Sequence, residues 1–187
     1  DGAFGQFCLV LPEQDAVVVL TSALPVSQAA LDLVWEHLLP AFSDSALPES
    51  ETPLAGVLAA LTLPTVAGEA ATATADRVAG IRFPFDHPSV TAVTVDPGRL
   101  TVDENGAITV IQLGHGHWIG SADSRVWASG AWVSADTLIV RAHAVLTPYS
   151  RTATLTFTDD TVTFDVAQNV SFSDVPPHTH AVSTDSN

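Results

Sequence analysis

Seven histidines and a single cysteine are the side chains with the widest chemical reach in this chain. His115 and His117 stand two apart in Gly114-His115-Gly116-His117-Trp118. On a regular strand, residues two apart share a face. The pair could therefore ligate one ion, with His143 on a later strand as the third nitrogen. No acidic residue is placed by spacing to orient these rings, so neither a metal nor any other cofactor is expected. His178 and His180 repeat the spacing in a segment without hydrophobic pattern. Ser, His and Asp are all present, but no Gly-x-Ser-x-Gly elbow fixes a nucleophile, and no glycine-rich phosphate loop occurs. Cys8 alone excludes an intrachain disulfide and any multi-cysteine zinc site. Inside the run Phe7-Cys8-Leu9-Val10 it reads as a small buried hydrophobe. Trp118, Trp127 and Trp132 either fill a core or line a ligand-binding mouth, and the core is the expected place. Asn169-Val170-Ser171 fits a glycosylation sequon.

Charge removes whole classes of partner. The chain has 187 residues, 21 acidic and six basic, for a net charge of −15. Every basic residue is an arginine; lysine is absent. Such a chain repels phosphate backbones and anionic lipid surfaces, so neither nucleic acid nor a membrane is an expected partner. No apolar run approaches the roughly 20 residues that span a bilayer. Acidic residues are scattered through turns and read as a solvated surface.

Hydrophobic periodicity predicts the elements. Residues 4–11 and 16–22 read as a hairpin turning at Pro12-Glu13-Gln14-Asp15. The second run is apolar on both faces, which suits a sheet covered on both sides. A helix is predicted from Ser27, as N-cap, to Leu39, ended by Pro40, with Leu31, Val34, Trp35, Leu38 and Phe42 as its apolar stripe. One helix cannot cover both faces of a hairpin, so residues 1–43 are expected to need a further layer from another segment. The chain starts at Asp1 without an initiator Met, which a piece of a longer protein would also do.

Residues 44–76 read as a linker with a short helix or docking strip at 54–61. Residues 77–173 read as an antiparallel all-β unit. Strands are predicted near 78–85, 90–95, 99–103, 107–113, 116–120, 126–133, 136–145, 151–158 and 161–168. Asn105-Gly106 is the strongest hairpin signal. Residues 174–187 have no pattern and are expected to be a mobile tail. The fold class is thus mainly β with a small α/β element, its β unit an up-and-down barrel or half-open sandwich.

The opening Asp1-Gly2-Ala3-Phe4-Gly5-Gln6-Phe7-Cys8-Leu9-Val10-Leu11-Pro12-Glu13-Gln14-Asp15-Ala16-Val17-Val18-Val19-Leu20-Thr21-Ser22 resembles the C-terminal end of the serine β-lactamase and penicillin-binding-protein superfamily. The branch it is most similar to is the β-lactamase-related serine hydrolases, esterase and D-aminopeptidase-like. Leu31-Asp32-Leu33-Val34-Trp35-Glu36-His37-Leu38-Leu39-Pro40 looks like that family's last helix. The resemblance covers about 40 residues directly, and the β unit resembles the C-terminal extensions of such hydrolases more loosely. It implies an acyl-serine mechanism on an ester or amide in a parent protein, with residues 1–43 finishing the catalytic domain.

The family's catalytic groups are not in this chain. Without lysine there is no Ser-x-x-Lys, and the single tyrosine, Tyr149, is followed by Ser150-Arg151 rather than by an asparagine two residues on. The resemblance implies that Gly2, Ala3, Phe4, Gly5 and Gln6 line the parent's substrate pocket. The expected partners are the rest of the hydrolase domain and a small ester or amide substrate, and the chain by itself is expected to be inactive. The alternative from another class is a lipocalin-like β module that binds a small apolar ligand, or a purely structural β-domain.

Overall fold

The protein is described by a computed structural model covering residues 1–42, 54–120, 125–173 and 177–184. The chain divides into two units, residues 1–64 and 65–187. The chain is mainly β, with antiparallel sheets and short helices.

In the first unit, β1 (Phe7–Leu11) and β2 (Ala16–Leu20) form an antiparallel hairpin with Phe7 opposite Leu20 and Leu11 opposite Ala16. One turn of 3₁₀ helix, Pro12–Gln14, and Asp15 at φ 45° reverse the chain. The strand starts later than predicted, because residues 2–6 form a tight turn instead. The helix α1 (Gln28–Leu33) runs on as a π-helical stretch, Val34–Leu38, and a 3₁₀ turn, Leu39–Ala41, that accommodates Pro40. Ser27 stands at the N-cap position, as expected, but its backbone is already helical and its side chain bonds no helix N–H.

Burial in this unit is one-sided. Phe7, Leu9, Leu11, Ala16, Val18 and Leu20 are half-buried, while Cys8, Val10, Val17 and Val19 face water. Of the predicted helical stripe only Val34 is buried; Trp35, Leu38 and Phe42 are exposed. The helix supplies Ala30 and Val34 as its buried contacts, too narrow a stripe for two sheet faces. Cys8 is therefore not the buried hydrophobe that its apolar neighbours suggest; alternation puts it on the uncovered face. The predicted short helix is α2 (Leu54–Ala60), whose residues are all exposed.

Among the described residues the second unit is a ten-strand meander in two antiparallel sheets. β3 (Arg82–Pro84), β4 (Ala92–Asp96), β5 (Arg99–Glu104) and β6 (Ala107–Gln112) make one sheet in that order. β7 (Ile119–Gly120), β8 (Val126–Trp132), β9 (Thr137–Ala144), β10 (Ser150–Thr158), β11 (Thr161–Gln168) and β12 (His178–Val182) make the other. Alternate residues point inward and pack a core around Phe83, Leu100, Trp132, Leu155, Phe157 and Phe164. Asn105 and Gly106, both at positive φ (55° and 90°), close the β5–β6 hairpin as their sequence demands.

The sheets do not close into a barrel. On one side they meet at a bridge between Phe85 and Ser183, with the Thr184 N–H donating to the Pro84 carbonyl at 2.9 Å. On the other a single parallel bridge, Gly114 to Ser129, joins the end of β6 to β8. The architecture is the half-open sandwich of the two predicted forms.

Three expectations are corrected here. Residues 65–76 are not linker: Val66 is buried, Glu69 bridges Trp132, and the helix α3 (Ala73–Val78) begins in this segment and plants Val78 fully in the core. Thr72 caps α3, accepting the Ala75 N–H at 3.1 Å. The tail holds a strand, β12, because Ala181 plugs into the core opposite Phe164 and His180 bonds Asp165. The strand predicted at 116–120 shrinks to Ile119–Gly120, since Gly116 at φ 70° bends the chain before it.

Candidate functional site

The two ends of the sandwich differ. At one, Phe83, Phe157 and Trp132 stack edge to face and tilted, with centroids 5.6 Å apart, and fill the space between sheets. At the other, the inward positions of β8, β9 and β10 are small: Val126, Ala142, Ala144 and Ala153. Opposite them stands β6, an edge strand whose Thr109 and Ile111 point inward from the facing sheet. Small side chains against an edge strand leave a cleft.

The cleft has two adjoining compartments. One, of about 290 Å³, lies between β5 and β9–β12 and is bounded by Leu100, Val102, Val140, Phe164 and Val166. The other, of about 350 Å³, lies between β6 and β8–β10 and is bounded by Ile119, Val126, Ala144 and Tyr149. Thr109, Ile111, Ala142, Arg151 and Gln168 line both. These volumes fall at the lower end of the range for small-molecule sites, and a mostly apolar wall with a few polar groups is the usual make-up of such a site.

Arg151 is the polar group that register puts there. It continues the inward row Phe157, Leu155, Ala153 back to the start of β10, where it lies opposite Ala142 and Gln168. Its Nε reaches the Gln168 Oε1 at 3.5 Å, a long contact, while the Gln168 amide donates to the Val170 carbonyl at 2.8 Å. Among the described residues no carboxylate pairs with Arg151. Arg82 and Arg99, by contrast, are held by Asp103 and Asp96 at 2.9 and 2.7 Å. Glu104 lines the smaller compartment; among the described residues the larger has Arg151 as its one charged lining residue.

His115, His117 and His143 are not brought together, whereas His178 and His180 both approach the Asp165 carboxylate, at 3.7 and 2.6 Å. The bend at Gly116 separates His115 and His117 from strand geometry: a His115 ring nitrogen bonds the Gly68 carbonyl at 3.0 Å, and one of His117 bonds the His115 carbonyl at 2.9 Å. His143 lies on the outer face of β9 with its ring 4.8 Å from that of Trp118, edge to face. Desolvation there, then the nearby Arg141 charge, pushes its pKa below the ordinary 6.5. Among the described residues no three His, Cys, Asp or Glu side chains are grouped to hold a metal.

The tryptophans split. Trp132 is core, as expected, but Trp127 is exposed on the outer face of β8 and Trp118 is half-buried against His143. Neither of these two lines the cleft, whose walls are mostly aliphatic with Phe164 and Tyr149 among them. Sequence reading missed Arg151, although the alternation it recognised in Ala153, Leu155 and Phe157 extends directly to it.

Gly2, Ala3, Phe4, Gly5 and Gln6 form a closed turn in the first unit. The Gly2 N–H donates to the Gln6 carbonyl at 2.6 Å. The Ser22 hydroxyl donates to the Phe4 and Gly5 carbonyls, both at 2.8 Å, and the Gln6 amide donates to the Ser22 carbonyl. Gly5 sits at φ 84°, and a Cβ there would fall on the Ser22 hydroxyl, so the turn requires glycine. Phe4 shares the positive-φ turn at 61°. The turn is locally satisfied, with the Gly2 N–H already used.

No family model, curated protein or solved structure matches this chain.

Proposed function

We propose that the chain is the C-terminal portion of a β-lactamase-like serine hydrolase, residues 1–43 finishing the catalytic sheet and the β unit serving as a non-catalytic accessory domain. The observation that carries this is the bare hairpin face. Cys8, Val10, Val17 and Val19 form a continuous apolar strip, with Val10, Val17 and Val19 at 67, 62 and 67% exposure. Burying a valine fully contributes about 1.5–3 kcal/mol. A third layer, from the remainder of a catalytic domain, would recover that stabilisation.

Two measurements test the reading. The chain incubated with nitrocefin and p-nitrophenyl esters should give no turnover above buffer; hydrolysis that co-purifies with it through successive columns contradicts the absence of catalytic groups. The coding sequence upstream of Asp1 should contain Ser-x-x-Lys and Tyr-x-Asn. An upstream frame lacking both removes the hydrolase reading.

A second reading is favoured by the cleft: the sandwich takes up a small apolar ligand. The support is the pair of adjoining, mostly apolar compartments at the open end, where a solid core would leave none. Titration with 1-octanol should raise the Tm saturably through linkage. A flat response removes this reading and leaves a structural accessory domain.

A further inference from the structure

We infer that the ligand taken by the open end of the sandwich is an amphipathic carboxylate, its head on Arg151 and its tail in the compartment between β6 and β8–β10. This rests on the second reading above, that the cleft binds a small apolar molecule, and adds the ligand's chemical class.

Three observations converge. The first is electrostatic. In a chain of net charge −15, the larger compartment has, among the described residues, no acidic lining residue and one arginine. A cationic ligand would meet like charge there, and a neutral one would leave the guanidinium unused. A carboxylate matches its planar fork, which binds such groups through two parallel hydrogen bonds.

The second is the state of that guanidinium. Its contact among the described residues is the long one to Gln168, a neutral amide held in place by its own bond to Val170. Acidic residues are plentiful, and two other arginines are engaged by them. Arg151 thus keeps donors for a ligand.

The third is placement. Arg151 is exposed at the mouth, whereas Ala142 and Val126 lie on the adjacent inward face. A carboxylate head on Arg151 stays in contact with water, so the ligand avoids the cost of burying a charge while its tail leaves water.

The test compares three ligands with one tail, using the full chain and calorimetric titration: octanoate, 1-octanol and octylamine. Octanoate should bind about tenfold tighter than octanol or better, as a charged hydrogen bond would give, and octylamine weakest of the three. Arg151→Gln should bring octanoate to within about twofold of octanol. Ala142→Phe, which fills the shared wall, should weaken both. Equal binding of octanoate and octanol by the wild-type chain, octylamine binding as tightly as octanoate, or a preference that survives Arg151→Gln overturns the carboxylate inference and leaves the apolar reading standing. Absence of binding by all three overturns both.

Discussion

Cys8 lies directly opposite Val19 across the β1–β2 hairpin, and both side chains face water. A thiol in an apolar strip is usually sequestered. Here no described residue covers the sheet face that carries it, and the same face holds the adjacent pair Val10 and Val17.

That exposure makes Cys8 chemically accessible. Ellman's reagent added to the folded protein should titrate one thiol per chain within minutes, without denaturant. A thiol that reacts only after unfolding contradicts the bare face.

Stability should respond unequally to changes in the two units. Leu155 is fully buried between the sheets, and Leu155→Ala should cost the second unit about 2–5 kcal/mol. Val17→Thr, on the uncovered hairpin face, should change stability by no more than about 0.5 kcal/mol. Urea unfolding of each variant, followed by circular dichroism, checks the contrast. A Val17→Thr cost as large as that of Leu155→Ala would mean the hairpin face is covered.

His143 should make the fold more sensitive to mild acid. Its pKa is lowered in the folded chain, chiefly by desolvation against Trp118 and then by Arg141. The unfolded chain then binds more protons near the ordinary histidine range. This contribution to stability is complete above about pH 6.5 and is lost as pH falls through the lower folded value. His143→Gln should therefore lose less stability than the wild type between about pH 7.5 and about pH 5. Urea midpoints at the two pH values check it, and an NMR titration placing the folded His143 above 6.5 contradicts it.

Much of the sandwich was legible because strand alternation survives in the sequence. Leu138, Val140 and Ala142, and Ala153, Leu155 and Phe157, point inward as their period-two pattern requires. Asn105-Gly106 marked its hairpin for the same local reason. What failed depended on distant contacts. β12 carries two histidines and no apolar run, and its pairing with β11 rests on Ala181 in the core and on Asp165, far away in the chain. Residues 65–69 look like linker because their role is a backbone bridge to Trp132, which leaves no trace in side-chain periodicity. His115 and His117 share a strand-like spacing that Gly116 breaks. The cleft was hidden for another reason: Ala142 and Ala144 read as ordinary core, and only the exposed edge strand β6 opposite them turns small side chains into space.

Amide hydrogen exchange on the full chain tests most directly whether the leading hairpin lacks a layer. Peptides spanning β1 and β2 should exchange orders of magnitude faster than those spanning β9, β10 and β11, because a two-stranded hairpin with one uncovered face opens at low cost. Protection of Val17–Val19 equal to that of Leu155–Phe157 would show that residues 1–43 already form a complete fold, and would contradict their being the end of a larger sheet.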